Sequence, residues 1–242
     1  MTPAPAVEDG PGSTSSQLAA ARQEVLGRIA TACVRAGRDP AGVRLLAVSK
    51  GVPVEKLRLA GQIGLLDFGE NRVQEAASKV AALPDARWHL IGRLQSNKAG
   101  RAVDLFHTVQ SVDSLQLAGR LARLAETAGR RLPVYLQVNV DGDPAKSGFE
   151  PGQLAQGLAQ VADLERLELR GLMTIGRAVE RPADARRTFA ALRELGAGLR
   201  AAEPRLGAEL SMGMSDDYEM AVEEGATVVR IGRALFGERP AP

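Results

Sequence analysis

From residue 16 onward, two hydrophobic periods alternate along the chain. Leu18, Ala21, Val25, Ile29 and Ala32 recur at spacings of three and four, which is one face of a helix, and Gly37 supplies a stop. The period then changes. Residues 44–50, Arg-Leu-Leu-Ala-Val-Ser-Lys, form a nearly continuous apolar run, the mark of a strand buried on both faces as in parallel sheets. Seven further runs fall at 64–68, 87–91, 105–112, 133–140, 167–175, 208–212 and 227–231. Between them the pattern predicts helices at 54–62 behind Pro53, 73–82 stopped by Pro84, 98–103, and 115–128 capped by Asp113 and closed by Gly129. Others follow at 153–164, at 183–200 started by Pro182, and at 217–224 capped by Asp216 and closed by Gly225, with a single turn at 234–238.

Eight strands, each followed by a helix and preceded by one more, is the count of an α/β fold of the (β/α)8 type, the TIM barrel. A doubly wound open sheet is the alternative. Residues 1–15 are rich in Pro, Gly, Ser and Thr, have almost nothing to bury, and read as a disordered tail. The remainder, 16–242, reads as one domain.

Composition narrows the functional classes. With 45% hydrophobic but only 3% aromatic residues, the core is built from aliphatic side chains. A formal net charge of +2, with arginines spread through the helical segments, gives little support for nucleic-acid binding. Only Lys50, Lys56, Lys79, Lys98 and Lys146 among the 31 basic residues are lysines. The single cysteine, Cys33, excludes a disulfide framework or thiolate metal site, and two histidines make a histidine metal site improbable. With no leader-like start and no apolar stretch long enough for a bilayer, the expectation is a soluble cytoplasmic protein.

In such a barrel, function collects where strands end and the following loops begin. Lys50 ends the first strand, after Leu46 and Val48 on the same face at period two, so its side chain is expected to enter the barrel mouth. An ammonium that loses part of its hydration gives up its proton more readily, and the neutral amine is what attacks an aldehyde to form an imine. A solvated lysine at a strand-to-loop junction is the plain alternative. The last strand ends in Arg230-Ile-Gly-Arg233 before a short turn, a place where barrels often hold phosphate on backbone N–H groups. Gly232 permits close backbone approach, and the preceding strand end offers the hydroxyls of Ser211 and Ser215. Singly, these residues are caps and turns; together, at adjacent strand ends, they point to an anion.

Other strand ends carry weaker signals. Glu70 is placed to pair with Arg72, while Asn71 either caps the next helix or offers a hydrogen bond at the mouth. The polar stretch 92–98 is placed to cover the site. Lys146, in the turn-like loop 141–148, reads as a solvated charge, and His89 as a satisfied core histidine.

Nine motifs stand in order along the chain: Ala47-Val-Ser-Lys50, Phe68-Gly-Glu-Asn71, Trp88-His-Leu-Ile-Gly92, Leu94-Gln-Ser-Asn-Lys98, Lys146-Ser-Gly148, Arg170-Gly-Leu-Met173, Leu210-Ser-Met-Gly-Met-Ser-Asp-Asp217, Val229-Arg-Ile-Gly232 and Phe236-Gly237. On these motifs the chain resembles the pyridoxal 5′-phosphate (PLP) homeostasis proteins, also called proline synthetase co-transcribed homologues. The resemblance implies a fold like the N-terminal domain of alanine racemase, with PLP carried as a Schiff base on Lys50. It also implies that Ser211, Ser215, Gly232 and Arg233 lie on the phosphate side, with Asn71 nearby and Arg230 facing the pyridine nitrogen. One position departs: Arg233 stands where the family usually has Thr, so a hydroxyl is lost and a charge takes its place.

PLP acts as an electron sink when its ring nitrogen is protonated, a state that a carboxylate partner favours, whereas an arginine can only donate to the unprotonated nitrogen. A racemase also needs a second base, which in alanine racemase is a tyrosine from a C-terminal domain of the partner subunit. Tyr135 and Tyr218 read instead as packing residues. The reading is a monomeric carrier or regulator, not an enzyme, that binds PLP and releases it to apo forms of PLP-dependent enzymes, with no nucleic-acid, membrane or metal partner. The alternatives are a PLP-dependent amino-acid racemase or lyase using the same lysine, and a cofactor-free Schiff-base aldolase.

Overall fold

A computed structural model describes residues 14–176 and 181–238. Its strands are β1 (Arg44–Val48), β2 (Asp67–Glu70), β3 (Arg87–Leu90), β4 (Thr108–Val112), β5 (Leu132–Gln137), β6 (Leu167–Met173), β7 (Glu209–Ser211) and β8 (Val228–Ile231). All neighbours pair in parallel and in chain order, and β8 returns to β1 to close the barrel. The open-sheet alternative is thereby excluded. The intervening helices are α1 (Thr14–Arg35), α2 (Val54–Gln62), α3 (Val73–Ala82), α4 (Ala99–Leu105), α5 (Leu115–Thr127), α6 (Pro151–Ala162), α7 (Arg186–Ala202), α8 (Tyr218–Glu223) and α9 (Arg233–Phe236). α1 lies outside the strand–helix repeat and packs against α2, α8 and α9.

The main core lies between the barrel and its helices. It is aliphatic, as the composition required, with Phe68 and Trp88 stacked at 5.2 Å as its main aromatic pair. A second cluster fills the barrel interior: Leu46, Ile91, Tyr135, Met173 and Val228, with Val48 and Ile175 packed on it. Leu46 and Val48 therefore face inward, and the period-two alternation carries Lys50 to the same side.

The differences from the sequence reading have local causes. Helices α2 and α3 match their predicted bounds, but the expected strand 64–68 starts late because Gly64, at φ +85°, closes α2. β2 then runs on to Glu70, which pairs in register with Leu90. Leu105, expected to open a strand, ends α4. The α5 cap is Ser114, whose hydroxyl accepts from the Leu117 N–H at 3.2 Å, and not Asp113. Asp216 does not cap α8; Asp217 occupies that position, and its carboxylate accepts from the Met214 N–H at 2.6 Å. The predicted 183–200 helix is split into a 3₁₀ turn, Pro182–Ala185, and α7. Thr14 and Ser15 belong to α1, and the rest of the expected tail lies outside the described residues.

Strand β6 threads tightly past β7 at Gly171, where φ is +153° and an added Cβ would lie 1.8 Å from the Glu209 carbonyl oxygen. No side chain fits without separating the two strands. Gly171→Ala is therefore expected to destabilise the barrel by roughly 3 kcal/mol, measured as a lower melting temperature in thermal denaturation. A variant melting within a degree of the parent would contradict this account of the β6–β7 contact.

Candidate functional site

Lys50 is the second residue of a four-residue turn that leaves β1. The Val52 N–H closes the turn on the Ser49 carbonyl at 2.9 Å, and Gly51, at φ +70°, supplies the left-handed third position of a type II turn. The Ser49 N–H is fixed to the Gly69 carbonyl of β2 at 2.9 Å. The Lys50 side chain is half-buried, and its ammonium has no hydrogen-bond or ion-pair partner among the described residues.

That amine opens onto a cavity of about 630 Å³ at the C-terminal ends of the strands. Val48, Lys50, Asn71, Ile175, Met214, Ser215, Arg230, Gly232 and Arg233 are among its lining residues. Gly92 also lines it and passes so close to the Asn71 backbone that a Cβ there would lie 2.3 Å from the Asn71 oxygen. Asn71 does not cap α3: the capping position is Arg72, which makes no side-chain cap. An adjoining cavity is walled by Lys50, Asn71, Arg93, Leu94, Gln95 and Lys98, so the 92–98 stretch flanks the lysine as expected. At the far side, the Ser215 hydroxyl accepts from the Ala234 N–H at 3.3 Å, in the first turn of α9. Leu235 and Phe236 donate their amides to the Gly232 carbonyl and Ala234 donates to Ser215, so the Arg233 N–H is the first-turn amide left to donate beside this hydroxyl. Arg233 pairs with Asp216 and lies 3.7 Å from Glu238, so its charge is already shared with two carboxylates.

Arg230 forms the floor. It is 4% exposed, and its guanidinium donates to the Ser211 hydroxyl at 2.9 Å and the Thr174 carbonyl at 2.7 Å. Burial lowers its pKa to about 10, with Asp217 acting in the opposite sense, so it remains cationic at neutral pH. Ser211 is not part of the cavity wall: it is fully buried, and its hydroxyl donates to Gln110 Oε1 at 2.6 Å while accepting from Arg230. The resemblance placed it on the phosphate side; its hydroxyl is engaged by Gln110 and Arg230, and the residue is not among those that line the cavity.

A sequence profile described as the N-terminal domain of alanine racemase matches residues 30–240. The chain is 48% identical over 219 residues to the pyridoxal phosphate homeostasis protein of Pseudomonas aeruginosa, covering 89% of this chain and 93% of that one. It is 43% identical over 217 residues to the protein of the same name from Aquifex aeolicus, covering 89% and 95%. The chain belongs to the pyridoxal phosphate homeostasis protein family. Among solved structures, PipY of Synechococcus elongatus PCC7942 with PLP bound superposes with a TM-score of 0.80 at 41% identity, covering 93% of this chain and all of that one. Alanine racemase of Clostridium difficile 630 superposes with a TM-score of 0.72 at 16% identity, covering 91% of this chain and 57% of that one, which is a likeness of fold.

In this family member, six of the seven residues singled out from the sequence (Lys50, Asn71, Ser215, Arg230, Gly232 and Arg233) meet around one cavity, and Ser211 supports it from below. Two pairings differ from expectation. Glu70 turns away from Arg72, is fully buried, and bonds Ser49 Oγ and Lys79 Nζ, each at 2.7 Å. Lys146 is not a free loop charge: its ammonium donates to the Ile175 and Gly176 carbonyls at the rim of the cavity. Sequence reasoning missed Lys79 altogether, although a signal existed. It falls at a three-residue spacing from Val73 and Ala76 on the buried stripe of α3.

His89 is a satisfied core histidine within a longer chain of bonds. Its Nδ1 accepts from the Gln110 amide at 3.2 Å, and its Nε2 donates to Asp67 at 3.3 Å. Asp67 in turn holds Arg87 through two bonds of 2.6–2.7 Å at the opposite end of the barrel. Burial alone would push the Asp67 carboxyl up, but bonds from Arg87 and His89 reverse this and hold it well below the usual carboxylate range. Because the folded value is depressed, the stabilisation is complete above the unfolded value of 3.8 and is lost as pH falls below it. Asp67→Asn is expected to lower stability by about 2 kcal/mol at neutral pH, a difference that shrinks below pH 4. Melting curves from pH 3 to pH 7 check this; a deficit independent of pH would assign the effect to packing.

Proposed function

We propose that this chain is a cytoplasmic PLP carrier that binds the cofactor in the barrel-mouth cavity as a Schiff base on Lys50. It holds PLP for delivery to apo forms of PLP-dependent enzymes and does not use it for amino-acid chemistry. The observation that carries this reading is the unpartnered Lys50 amine opening onto the same cavity as Ser215, Gly232 and Arg230. The bound structure of PipY and the name shared by the relatives support it.

The residues present fit the cofactor. PLP supplies an aldehyde, a ring nitrogen and a phosphate. Lys50 offers the amine: once neutral, its nitrogen adds to the aldehyde carbon, and loss of one water replaces C=O by C=N. Ser215, Asn71 and the first turn of α9 offer donors for a phosphate, and Gly232 keeps that wall free of a side chain. The nearby Asp216 screens Arg233, so the grip rests chiefly on neutral donors. This suits a carrier that must let go.

Arg230 separates holding from turnover. A cation facing the ring nitrogen keeps that nitrogen unprotonated and weakens the electron sink on which racemisation depends. The two tyrosines lie elsewhere. Tyr135 donates to Glu209 at 2.5 Å at the opposite end of the barrel, and Tyr218 is buried on α8 beneath Arg28. Neither reaches the cavity as a second base. Among the described residues, the exposed large hydrophobic side chains Val34, Leu66, Leu115 and Met214 lie on separate segments, which favours a monomer.

Purified protein given PLP is expected to show the absorption band of a protein-bound imine, and Lys50→Ala to lack it. A wild type that remains colourless overturns the reading. Incubating the holo-protein with amino acids in D2O tests the carrier half: no α-deuterium incorporation is expected, and sustained exchange would make the protein a racemase or lyase.

A further inference from the structure

Beneath the Lys50 turn lies a buried cluster that the proposed cofactor chemistry does not use. Lys79, on α3, is 5% exposed, and its ammonium donates to the Ser49 carbonyl at 2.7 Å, Glu70 Oε1 at 2.7 Å and Glu75 Oε1 at 2.8 Å. These three acceptors use its full donor set. Glu75 Oε1 accepts a second bond, from the Gly51 N–H at 2.6 Å. The two peptide groups that flank Lys50 are therefore tied to one charge: the carbonyl before it directly, and the amide after it through Glu75.

We propose that Lys79 is a positioning residue for Lys50, locking the backbone of the turn so that the Lys50 amine meets the cofactor aldehyde in a single direction. This rests on the Schiff-base reading above. Stability alone does not explain the cluster. A lysine on the inward stripe of α3 displaces an apolar side chain, and buried ion clusters are often no more stabilising than well-packed hydrophobic residues of the same volume. This cluster is also incompletely satisfied: burial raises the Glu70 pKa, and Glu70 Oε2 has no hydrogen-bond partner. An arrangement of this kind gives the turn what packing cannot, directional bonds to the peptide groups themselves. With both peptides held, Lys50 retains only its side-chain torsions. If they were released, the amine would sweep over several orientations, few of which place its lone pair on the aldehyde carbon.

The test uses the full chain carrying Lys79→Met, which keeps an unbranched side chain one atom shorter and removes its donors. Glu75→Ala is a milder second variant that frees the Gly51 amide from a partly exposed position. Two ligands separate positioning from folding: PLP, which forms the imine, and pyridoxine 5′-phosphate, which carries an alcohol in place of the aldehyde and cannot. The expected result is about a tenfold or greater loss of PLP affinity and of borohydride-trapped adduct in Lys79→Met, with a smaller loss in Glu75→Ala. Pyridoxine 5′-phosphate affinity should stay within twofold in both variants. Equal losses for the two ligands, or no loss of imine in a variant that folds, overturns the positioning role. If Lys79→Met does not fold, Glu75→Ala decides by the same ratio. A wild type that traps no adduct on Lys50 removes the Schiff-base reading itself, whatever the variants do.

Discussion

Everything at the mouth of this barrel depends on the closing pair of strands. β8 lies against β1 with Leu46 opposite Arg230 and Ala47 opposite Ile231, so the ends of the two strands emerge side by side. Lys50 and Gly232 are far apart in sequence, yet this register makes them neighbours in one cavity wall. A slip of one residue would turn Lys50 away from the mouth and Arg230 out of the interior, because side chains alternate between the faces. The hydrophobic alternation of Leu46, buried in the interior cluster, and Val48, packed against it, is what prevents the slip. The same aliphatic packing that stabilises the barrel therefore also builds the site.

The barrel interior is divided between that apolar cluster and a polar axis. From the cavity floor, each donor in turn faces the next acceptor: Arg230 to Ser211, Ser211 to Gln110, Gln110 to His89, and His89 to Asp67. Arg87 closes the run from the other end. Bonds aligned in one direction polarise one another, while Asp67 at the foot is paired with Arg87 and the carboxylate whose charge favours the Arg230 cation is Asp217. A buried guanidinium without such a path would be expelled or would disrupt the floor. The axis explains how an arginine with almost no access to bulk water can be held in place beneath the cavity.

Much of this was legible in the sequence. Parallel strands buried on both faces leave continuous apolar runs, and all eight were recognisable, with errors confined to their ends. The late start of β2 arose where turn geometry overrode hydrophobicity, at Gly64, and the misplaced α5 cap arose where two cap-competent residues stood together, at Asp113 and Ser114. The gathering of Lys50, Asn71, Ser215, Arg230, Gly232 and Arg233 at one cavity was legible because strand ends and the loops after them converge at one mouth of a barrel. The burial of Ser211 was not legible, because a residue at a strand end points either to the mouth or into the interior, and a three-residue strand gives too little alternation to tell which. Glu70 and Lys79 were illegible as a pair because nothing in their separate motifs says that a strand carboxylate and a helix ammonium share one buried space.

The sparse lysines carry the same logic one step further. In a chain whose surface ion pairs are made almost wholly by arginine, every lysine sits near the open end of the barrel. Lys50 enters the cavity, Lys98 walls the space beside it, and Lys79 underpins the turn. Lys146 holds the Ile175 and Gly176 carbonyls at the rim, and Lys56 donates to the Phe236 carbonyl at the end of α9 at 2.8 Å. Guanidinium is planar, wide and permanently charged; an ammonium is compact, donates tetrahedrally and can be deprotonated. Of the two side chains, the amine is the one suited to condense with an aldehyde, which is the role proposed for Lys50. The gathering of acceptors from divergent directions at a single point accounts for Lys79, which holds one carbonyl and two carboxylates, and to a lesser degree for Lys146, which holds two carbonyls. Where the chain needs charge it uses arginine, and where it needs a small three-way joint or a reactive nitrogen it uses lysine. That division places its rarest cation around the one region where backbone position matters most.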